Sequence, residues 1–232
     1  MVAVMQPYFL PYIGYFQLLN SVDEFVLYDD IEYTKQGWIN RNRILVNGEP
    51  QYISLPIKKD SDFLDVGQRY VADSWKKDKA KMLNKIKGAY KKAPYFDVTM
   101  PVLEAIVNFD QNNLFNFIFN SLEVLCAQLS IDTKLVRSST LNYNSALKSQ
   151  DKVLDICKNI EADIYVNSVG GKDLYASEIF LQNNIKLMFI ENTINEYQQF
   201  CEKFVSSLSI LDVLMFNDIV EVKKWLENFK LK

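Results

Sequence analysis

Short apolar runs alternate with segments of helical periodicity along most of this chain of 232 residues. The apolar runs cover residues 2–5, 25–28, 133–136, 163–166 and 185–190. The first two enclose a loop and a short helical segment, which is the compact βαβ unit from which parallel sheets are built. We therefore predict an α/β fold of Rossmann-like type, in which a mostly parallel sheet is flanked by helices.

Two further features interrupt this alternation. Residues 43–46 and 51–57 flank an Asn-Gly turn at Asn47 and Gly48, which predicts a β-hairpin. The middle of the chain, at about 74–130, has the spacing of helices, and we expect it to be a helical insertion or subdomain. The whole chain, residues 1–232, is predicted to be one domain, with a sheet formed by its two ends. Further helices are predicted at 149–160 and 173–183.

The absence of histidine excludes several kinds of chemistry. The sequence contains no histidine, so Ser-His-Asp, Cys-His and His-metal mechanisms are ruled out. Its three cysteines, Cys126, Cys157 and Cys201, are scattered and lie in apolar surroundings. They are predicted to be buried, reduced thiols rather than zinc ligands or a disulfide framework.

Charge and hydropathy bear on partners and location. The formal net charge of −3 makes nucleic acid an unlikely partner by sequence, despite a lysine-rich segment near residues 76–92. That segment is read either as a solvated helix face or as a face that attracts phosphate. Gln6 and Pro7 interrupt the apolar start, so no signal peptide is indicated, and no apolar run approaches the ~18 residues of a membrane span. We expect a cytoplasmic protein without membrane insertion.

The loops that follow the predicted strands are the expected binding region. Parallel sheets bind ligands outside the carboxyl ends of their strands. By this rule the loops at 6–15, 29–43, 138–142 and 167–175 should converge on one cleft. Residues 5–44 concentrate tyrosines, a tryptophan and arginines just after the first strand, a composition typical of a ligand site.

These same stretches resemble the WbqC-like family, whose members are encoded among bacterial O-antigen and other surface-polysaccharide genes. The resemblance begins with residues 5–44 and continues through five stretches: Lys92–Phe96 (KAPYF), Ser138–Leu141 (SSTL), Lys148–Lys152, Val169–Tyr175 (VGGKDLY) and Leu208–Asn217. It covers nearly the whole chain. What the resemblance implies is a role in making lipopolysaccharide or related surface polysaccharide.

Two groups of residues are candidates for binding phosphate. Arg41 and Arg43 share one face of an extended segment and could grip a diphosphate, or could instead pair with nearby carboxylates. Ser168, Gly170, Gly171 and Lys172 precede a predicted helix and could bind an anion, or could form an ordinary turn. The other candidates, which could either contact a sugar or base or fill the core, are Gln6, Tyr8, Tyr12, Gly14, Tyr15, Tyr33, Trp38, Asn40, Asn42 and Tyr175.

Carboxylates must take the place of the missing histidine in any acid–base step. Asp29 and Asp30 are therefore the candidate general bases, or groups that orient a sugar hydroxyl or amine. Lys35 is a third catalytic candidate, because a lysine among aromatic rings can lose its proton near neutral pH. The sequence identifies no cofactor, although the two aspartates could hold Mg²⁺ against a diphosphate.

The resemblance and these residues together suggest three functions. The first is a transferase that acylates or aminoacylates a nucleotide-linked amino sugar, with a phosphate-bearing substrate and an acyl or aminoacyl donor as partners. The second is a nucleotidyltransferase or ATP-dependent activating enzyme, suggested by analogy with HIGH-type enzymes at Tyr12-Ile13-Gly14-Tyr15. The third is a binding or scaffold protein of the polysaccharide pathway that performs no catalysis.

Overall fold

The computed structural model describes residues 1–232 and contains eight strands and eight α-helices. The strands are β1 (Val2–Met5), β2 (Glu24–Leu27), β3 (Arg41–Val46), β4 (Glu49–Ser54), β5 (Lys134–Arg137), β6 (Ile164–Ser168), β7 (Lys186–Asn192) and β8 (Phe229–Leu231). The helices are α1 (Ile13–Asn20), α2 (Trp75–Tyr90), α3 (Phe96–Val107), α4 (Leu114–Leu129), α5 (Ser149–Asn159), α6 (Ser177–Gln182), α7 (Ile210–Phe216) and α8 (Ile219–Trp225).

Six strands form the central sheet, in the order β5-β2-β1-β6-β7-β8. The first five of these run parallel, and β8 joins the edge antiparallel to β7. In the register of the sheet Val4 lies beside Val26, and Leu27 lies beside Arg137. The strands β3 and β4 form a separate antiparallel hairpin. The predicted α/β class, with its mostly parallel sheet and its hairpin, is confirmed.

Both faces of the sheet are covered, which explains why its strands are apolar without a polar alternate face. Val2 and Val4 point to one side and pack in a cluster with α5 residues such as Val153. Ala3 and Phe25 point to the other side, into a larger cluster of 46 buried residues. The central strands are therefore shielded from water on both sides.

The helices of the middle segment belong to the larger cluster. Met82, Leu103 and Leu122 are buried on α2, α3 and α4, and all three share one hydrophobic cluster with Ala3 of the sheet. The start of α4 is fixed by Asn113, whose side chain accepts a hydrogen bond from the backbone N–H of Asn116. These three helices thus pack against the sheet and share its core.

The predicted helix at 173–183 is not continuous. Residues Val169–Leu174 form a 3-10 helix, Tyr175 is extended, and α6 begins only at Ser177. The extended backbone places the Tyr175 ring 5.6 Å from that of Tyr165 and 5.9 Å from that of Phe180. Aromatic packing into the core therefore overrides the local preference for helix. The edge strand β8 was also not predicted from the sequence.

None of the helices has both the length and the apolar character needed to cross a bilayer.

Candidate functional site

The carboxyl ends of four neighbouring strands carry the candidate residues. The order β5-β2-β1-β6 places the loops that follow these strands side by side along one edge of the sheet. The chain passes from β1 outward to β2 and β5, and then returns to the opposite side of β1 to form β6. Such a reversal of strand order is where open α/β sheets usually bind ligands.

A small aromatic pocket follows β1. Its cavity of about 120 Å³ is lined by Tyr8, Tyr12, Trp38, Asn42, Arg43 and Ser207, and we call it the Arg43 pocket. Five of these residues are among those predicted to bind substrate. Ser207, which comes from the segment before α7, is the exception.

Arg43 is the charged group of this pocket and has no carboxylate partner. No aspartate or glutamate oxygen lies within 4.0 Å of its guanidinium. The two aspartates considered as its partners, Asp29 and Asp30, pair with Arg137 and Lys152 instead. Its Nε is buried without a hydrogen-bond partner, and its Nη2 donates only a long bond of 3.4 Å to the backbone oxygen of Ser207. The guanidinium carbon lies 5.5 Å from the centre of the Trp38 ring. The guanidinium therefore retains capacity to bind an anion.

The walls of the Arg43 pocket are held by local contacts. The buried side chain of Asn42 donates to the backbone oxygens of Phe9 and Leu10, at 3.3 and 2.8 Å, which fixes the loop after β1. Gly14 lies beside it, and a Cβ at that position would lie 2.4 Å from the ring of Tyr12, so the glycine lets this ring pack against the backbone of α1. The loop and the hairpin thus form a preorganised wall.

Arg41 does not join Arg43 in this pocket. Its Nε and Nη2 donate to the backbone oxygens of Gly37 and Gln36, at 3.0 and 2.5 Å, and its guanidinium carbon lies 4.6 Å from the centre of the Tyr52 ring. Arg41 thus holds the loop that carries Trp38. The predicted two-arginine clamp is therefore not formed in this structure, where Arg43 alone lines the cavity.

A second group, at the ends of β2 and β5, contains the two aspartates. We define the Asp30 cluster as Asp29, Asp30, Ser138, Ser139, Tyr143 and Lys152. Asp29 is buried, and its carboxylate accepts hydrogen bonds from the backbone N–H of Ser139 at 2.9 Å and from the Ser139 hydroxyl at 2.6 Å. The Arg137 Nε lies 3.7 Å from the same carboxylate. Asp29 is thus fixed and partly neutralised.

Asp30 is held by three side chains. Its Oδ2 accepts hydrogen bonds from the Tyr143 hydroxyl and from Lys152 Nζ, the latter at 2.8 Å. The Ser138 hydroxyl lies within hydrogen-bond distance of Asp29 Oδ1 and of Asp30 Oδ1. A hydroxyl has one proton, so it satisfies one carboxylate at a time. Asp30 Oδ1 therefore keeps room for a further donor.

The surroundings set the protonation states of this cluster. Burial by itself raises the pKa of Asp30, but the hydrogen bonds from Lys152, Ser138 and Tyr143 and the charge of Lys152 outweigh burial and lower it. Burial and the hydrogen bond to Asp30 raise the pKa of Tyr143, which stays protonated. The cluster thus presents a carboxylate that remains charged, suited to bind a cationic or hydrogen-bond-donating group.

The fit of this cluster to Mg²⁺ is poor. Lys152 Nζ and the Tyr143 hydroxyl already occupy Asp30 Oδ2, and no group of three or more acidic or sulfur ligands lies together anywhere in the chain. Mg²⁺ is usually held by one or two carboxylates together with substrate phosphates and water. The residues present therefore do not form a magnesium site by themselves.

Lys35 lies apart from the Asp30 cluster. Its side chain is 66 % exposed and its Nζ lies 2.7 Å from the Asp62 carboxylate. Lys35 was a candidate general base because we expected it to be buried among aromatic rings. Its exposed ammonium, paired with a carboxylate, lacks that burial.

Three other predicted residues serve packing or local hydrogen bonds. Tyr15 is buried in the core, where its hydroxyl donates to the backbone oxygen of Gln6 at 3.0 Å. The Tyr33 hydroxyl donates to Asn40 Oδ1 at 2.7 Å, and Asn40 Nδ2 donates to the backbone of Leu55. These contacts shape the loops at the sheet edge.

The Gly-Gly-Lys segment does not lead directly into an α-helix, because it lies within the 3-10 helix of residues Val169–Leu174 and α6 begins only at Ser177. Gly171 is packed so that a Cβ would lie 2.8 Å from the Asn167 amide. A role of Ser168, Gly170, Gly171 and Lys172 in binding an anion stays a prediction. The ring of Tyr175, which follows this segment, lies 5.6 Å from that of Tyr165.

Sequence reasoning did not single out Arg137, Tyr143, Lys152 or Ser207 as site residues. Lys152 approaches Asp30 across 122 residues of sequence, and Tyr143 does so across 113. The resemblance did include the Ser138–Leu141 and Lys148–Lys152 stretches, and this was the signal available for Ser138, Ser139 and Lys152.

Comparison with known proteins gives two findings. The model of the WbqC-like protein family matches residues 6–224 of the chain. A protein of Mycobacterium tuberculosis (strain ATCC 25618 / H37Rv) called "Uncharacterized protein Rv1507c" is 29 % identical over 229 residues, covering 97 % of this chain and 96 % of that protein. The matched region contains all four loops at the sheet edge, and with them the Arg43 pocket and the Asp30 cluster.

Proposed function

Because the chain belongs to the WbqC-like protein family, we propose that it is a cytoplasmic transferase of O-antigen or other surface-polysaccharide biosynthesis. Its substrate is a nucleotide-linked amino sugar, to which it adds an acyl or aminoacyl group. The family resemblance supports the pathway in this proposal. The chemistry of the sheet edge supports the substrate class.

The observation that carries this proposal is the guanidinium of Arg43. It lies in an aromatic pocket, has no carboxylate partner and keeps a buried Nε without a hydrogen bond. A phosphate oxygen of the substrate would accept hydrogen bonds from this guanidinium and supply the counter-ion that it lacks. Tyr8, Tyr12 and Trp38 line the same cavity and offer ring faces to a sugar or base.

The Asp30 cluster fits the amino group of such a substrate. Asp30 is held ionised by Lys152, and its Oδ1 keeps room for one more donor. A carboxylate of this kind binds a substrate ammonium or orients an amine for attack on an acyl carbonyl. In this proposal Asp30 contacts the amino group, while Lys152 and Tyr143 hold Asp30 in place.

The first test is a thermal-shift screen of the purified protein against nucleotide sugars, nucleoside triphosphates and acetyl-coenzyme A. A true ligand at about 100 times its dissociation constant adds about 2.7 kcal/mol to the free energy of unfolding. We expect stabilisation by a nucleotide sugar and loss of that stabilisation in Arg43→Gln. The matched control is Lys186→Gln, because Lys186 is an exposed cation at the amino-terminal end of β7, on the opposite edge of the sheet.

Two results would contradict the proposal. Equal stabilisation of the wild type and Arg43→Gln by the same nucleotide sugar would remove Arg43 from the site. Stabilisation by a nucleoside triphosphate with release of pyrophosphate, and none by any nucleotide sugar, would favour nucleotidylyl transfer instead.

A further inference from the structure

A buried arginine lines a different cavity. Arg69, which follows the 3-10 helix Val66–Gln68, lies at the wall of an open cavity of about 460 Å³ together with Tyr33, Lys35, Lys58, Lys59 and Ser61. We call this the Arg69 cavity. None of its lining residues lines the Arg43 pocket or belongs to the Asp30 cluster.

The guanidinium of Arg69 is almost fully enclosed but poorly satisfied. The residue is 5 % exposed, and no carboxylate oxygen lies within 4.0 Å of it. Its Nη1 donates to the backbone oxygen of Ser61 at 2.5 Å, whereas its Nε is buried without any hydrogen-bond partner. Burying a cation without a counter-ion is unfavourable, so a bound anion beside Arg69 would stabilise the folded chain.

The guanidinium is also oriented. Its central carbon lies 4.9 Å from the centre of the Tyr33 ring, and the Tyr33 hydroxyl is fixed by its bond to Asn40. Contact with an aromatic ring fixes the position of the guanidinium while leaving its edge free for hydrogen bonds. Arg69 is thus preorganised to donate to an oxyanion.

The other charges around the cavity are mostly paired with one another. Lys35 pairs with Asp62 at 2.7 Å, and Lys58 pairs with Asp73 at 2.9 Å. Lys59 has no ion pair, and Asp60 accepts only a backbone bond from Ser61 at 2.7 Å. After these pairings Arg69 and Lys59 outnumber Asp60, so the cavity keeps a positive charge.

We propose that the Arg69 cavity binds a phosphate group of a small-molecule ligand, with Arg69 donating to its oxygens and Lys59 supplying a second positive charge. A planar guanidinium matches the geometry of a phosphate oxyanion, and an exposed lysine adds a mobile point charge. The inference does not depend on the reaction at the Arg43 pocket, because it uses different residues.

The test is calorimetric titration of the full chain with inorganic pyrophosphate and with inorganic phosphate, at constant ionic strength maintained with chloride. We expect saturable binding of one anion at the Arg69 cavity. Arg69→Met should weaken it about tenfold or more, since hydrogen bonds to charged groups are among the strong ones. Lys59→Gln should weaken it about threefold, as expected of an exposed charge. Lys186→Gln, far from the cavity, should leave it unchanged.

A measurement without ligand separates binding from packing. Met has no charge and a similar length, so Arg69→Met should be at least as stable as the wild type when no anion is present. If Arg69→Met is strongly destabilised but binds pyrophosphate as tightly as the wild type, the proposal is overturned. If Arg69→Met does not fold, unchanged affinity in Lys59→Gln overturns it equally. Loss of binding in Arg43→Gln alone would place the anion in the Arg43 pocket instead.

Discussion

At the scale of single residues, the ion pair between Asp30 and Lys152 is largely shielded from water, so we expect its loss to be costly. The Lys152 side chain is 9 % exposed and that of Asp30 is 19 % exposed. Lys152→Met leaves Asp30 without its cation and should lower the free energy of unfolding by about 3 kcal/mol. The double variant Asp30→Asn/Lys152→Met should recover much of this loss. Urea unfolding of the two single variants and the double variant measures the coupling.

The same pair gives a pH dependence with a definite sign. The pKa of Asp30 is lower in the folded chain than its ordinary value of 3.8, so its stabilising contribution is complete above pH 3.8. It is lost as the pH falls through the folded value, where Asp30 becomes protonated. The stability difference between the wild type and Asp30→Asn should therefore narrow in acid. A difference that stays constant across that range would contradict the assignment.

The cysteines allow a third prediction at this scale. Cys126 and Cys157 are buried, and burial raises the pKa of each thiol to about 12. Because the thiolate is the reactive form, neither should react with a thiol reagent at pH 8 until the chain unfolds. Cys201 is only partly buried and should be the thiol that reacts in the folded protein. Mass spectrometry of the labelled peptides identifies which cysteine has reacted.

At the scale of elements, Asp212 joins the end of α2 to the first turn of α7. Its carboxylate is fully buried and accepts hydrogen bonds from the hydroxyls of Tyr90 at 2.6 Å and Tyr197 at 2.7 Å. The Tyr90 hydroxyl also accepts from the backbone N–H of Leu45 on β3, at 3.0 Å. One phenol therefore connects a helix of the middle segment, the hairpin and α7.

Removing that hydroxyl tests the connection. Tyr90→Phe leaves a buried carboxylate and a buried backbone N–H each short of one partner, so the free energy of unfolding should fall by about 2 kcal/mol. Tyr95→Phe is the matched control, because the Tyr95 hydroxyl makes no hydrogen bond, and it should change stability by less than about 0.5 kcal/mol. Equal stability of the two variants, measured by denaturant unfolding, would show that the network contributes little.

Elements were predictable where the local pattern agreed with the final packing. α4 begins and ends as its apolar spacing predicts, because Leu114, Phe117, Leu122 and Leu125 are all buried on the core side. The 3-10 helix before Tyr175 was not predictable, because it depends on contacts with Tyr165 and Phe180 that lie elsewhere in the sequence. The three-residue edge strand β8 was too short to stand out from the pattern.

At the scale of the whole molecule, the class of fold could be predicted from the sequence. The residues that meet in the candidate site could be predicted only in part. The rule that parallel sheets bind ligands outside the carboxyl ends of their strands identified the segments that carry Arg43 and Asp30, because it depends only on strand direction. It could not foresee that Arg41 holds its own loop while Arg43 lines a cavity, since both lie on one strand face. Nor could it foresee Lys152 beside Asp30, because that contact depends on the packing of α5.

The order of the strands also determines when during synthesis the sheet can close. β1 and β2 are complete by residue 27, but their outer neighbours β6 and β5 begin only at Ile164 and Lys134. The outer edges of the first two strands therefore stay unpaired until more than half of the chain has been synthesised. Unpaired strand edges are prone to pair with other chains. Until then Asp30 has neither Ser138 nor Lys152 beside it. The Asp30 cluster can thus form only after Lys152 of α5 has been synthesised.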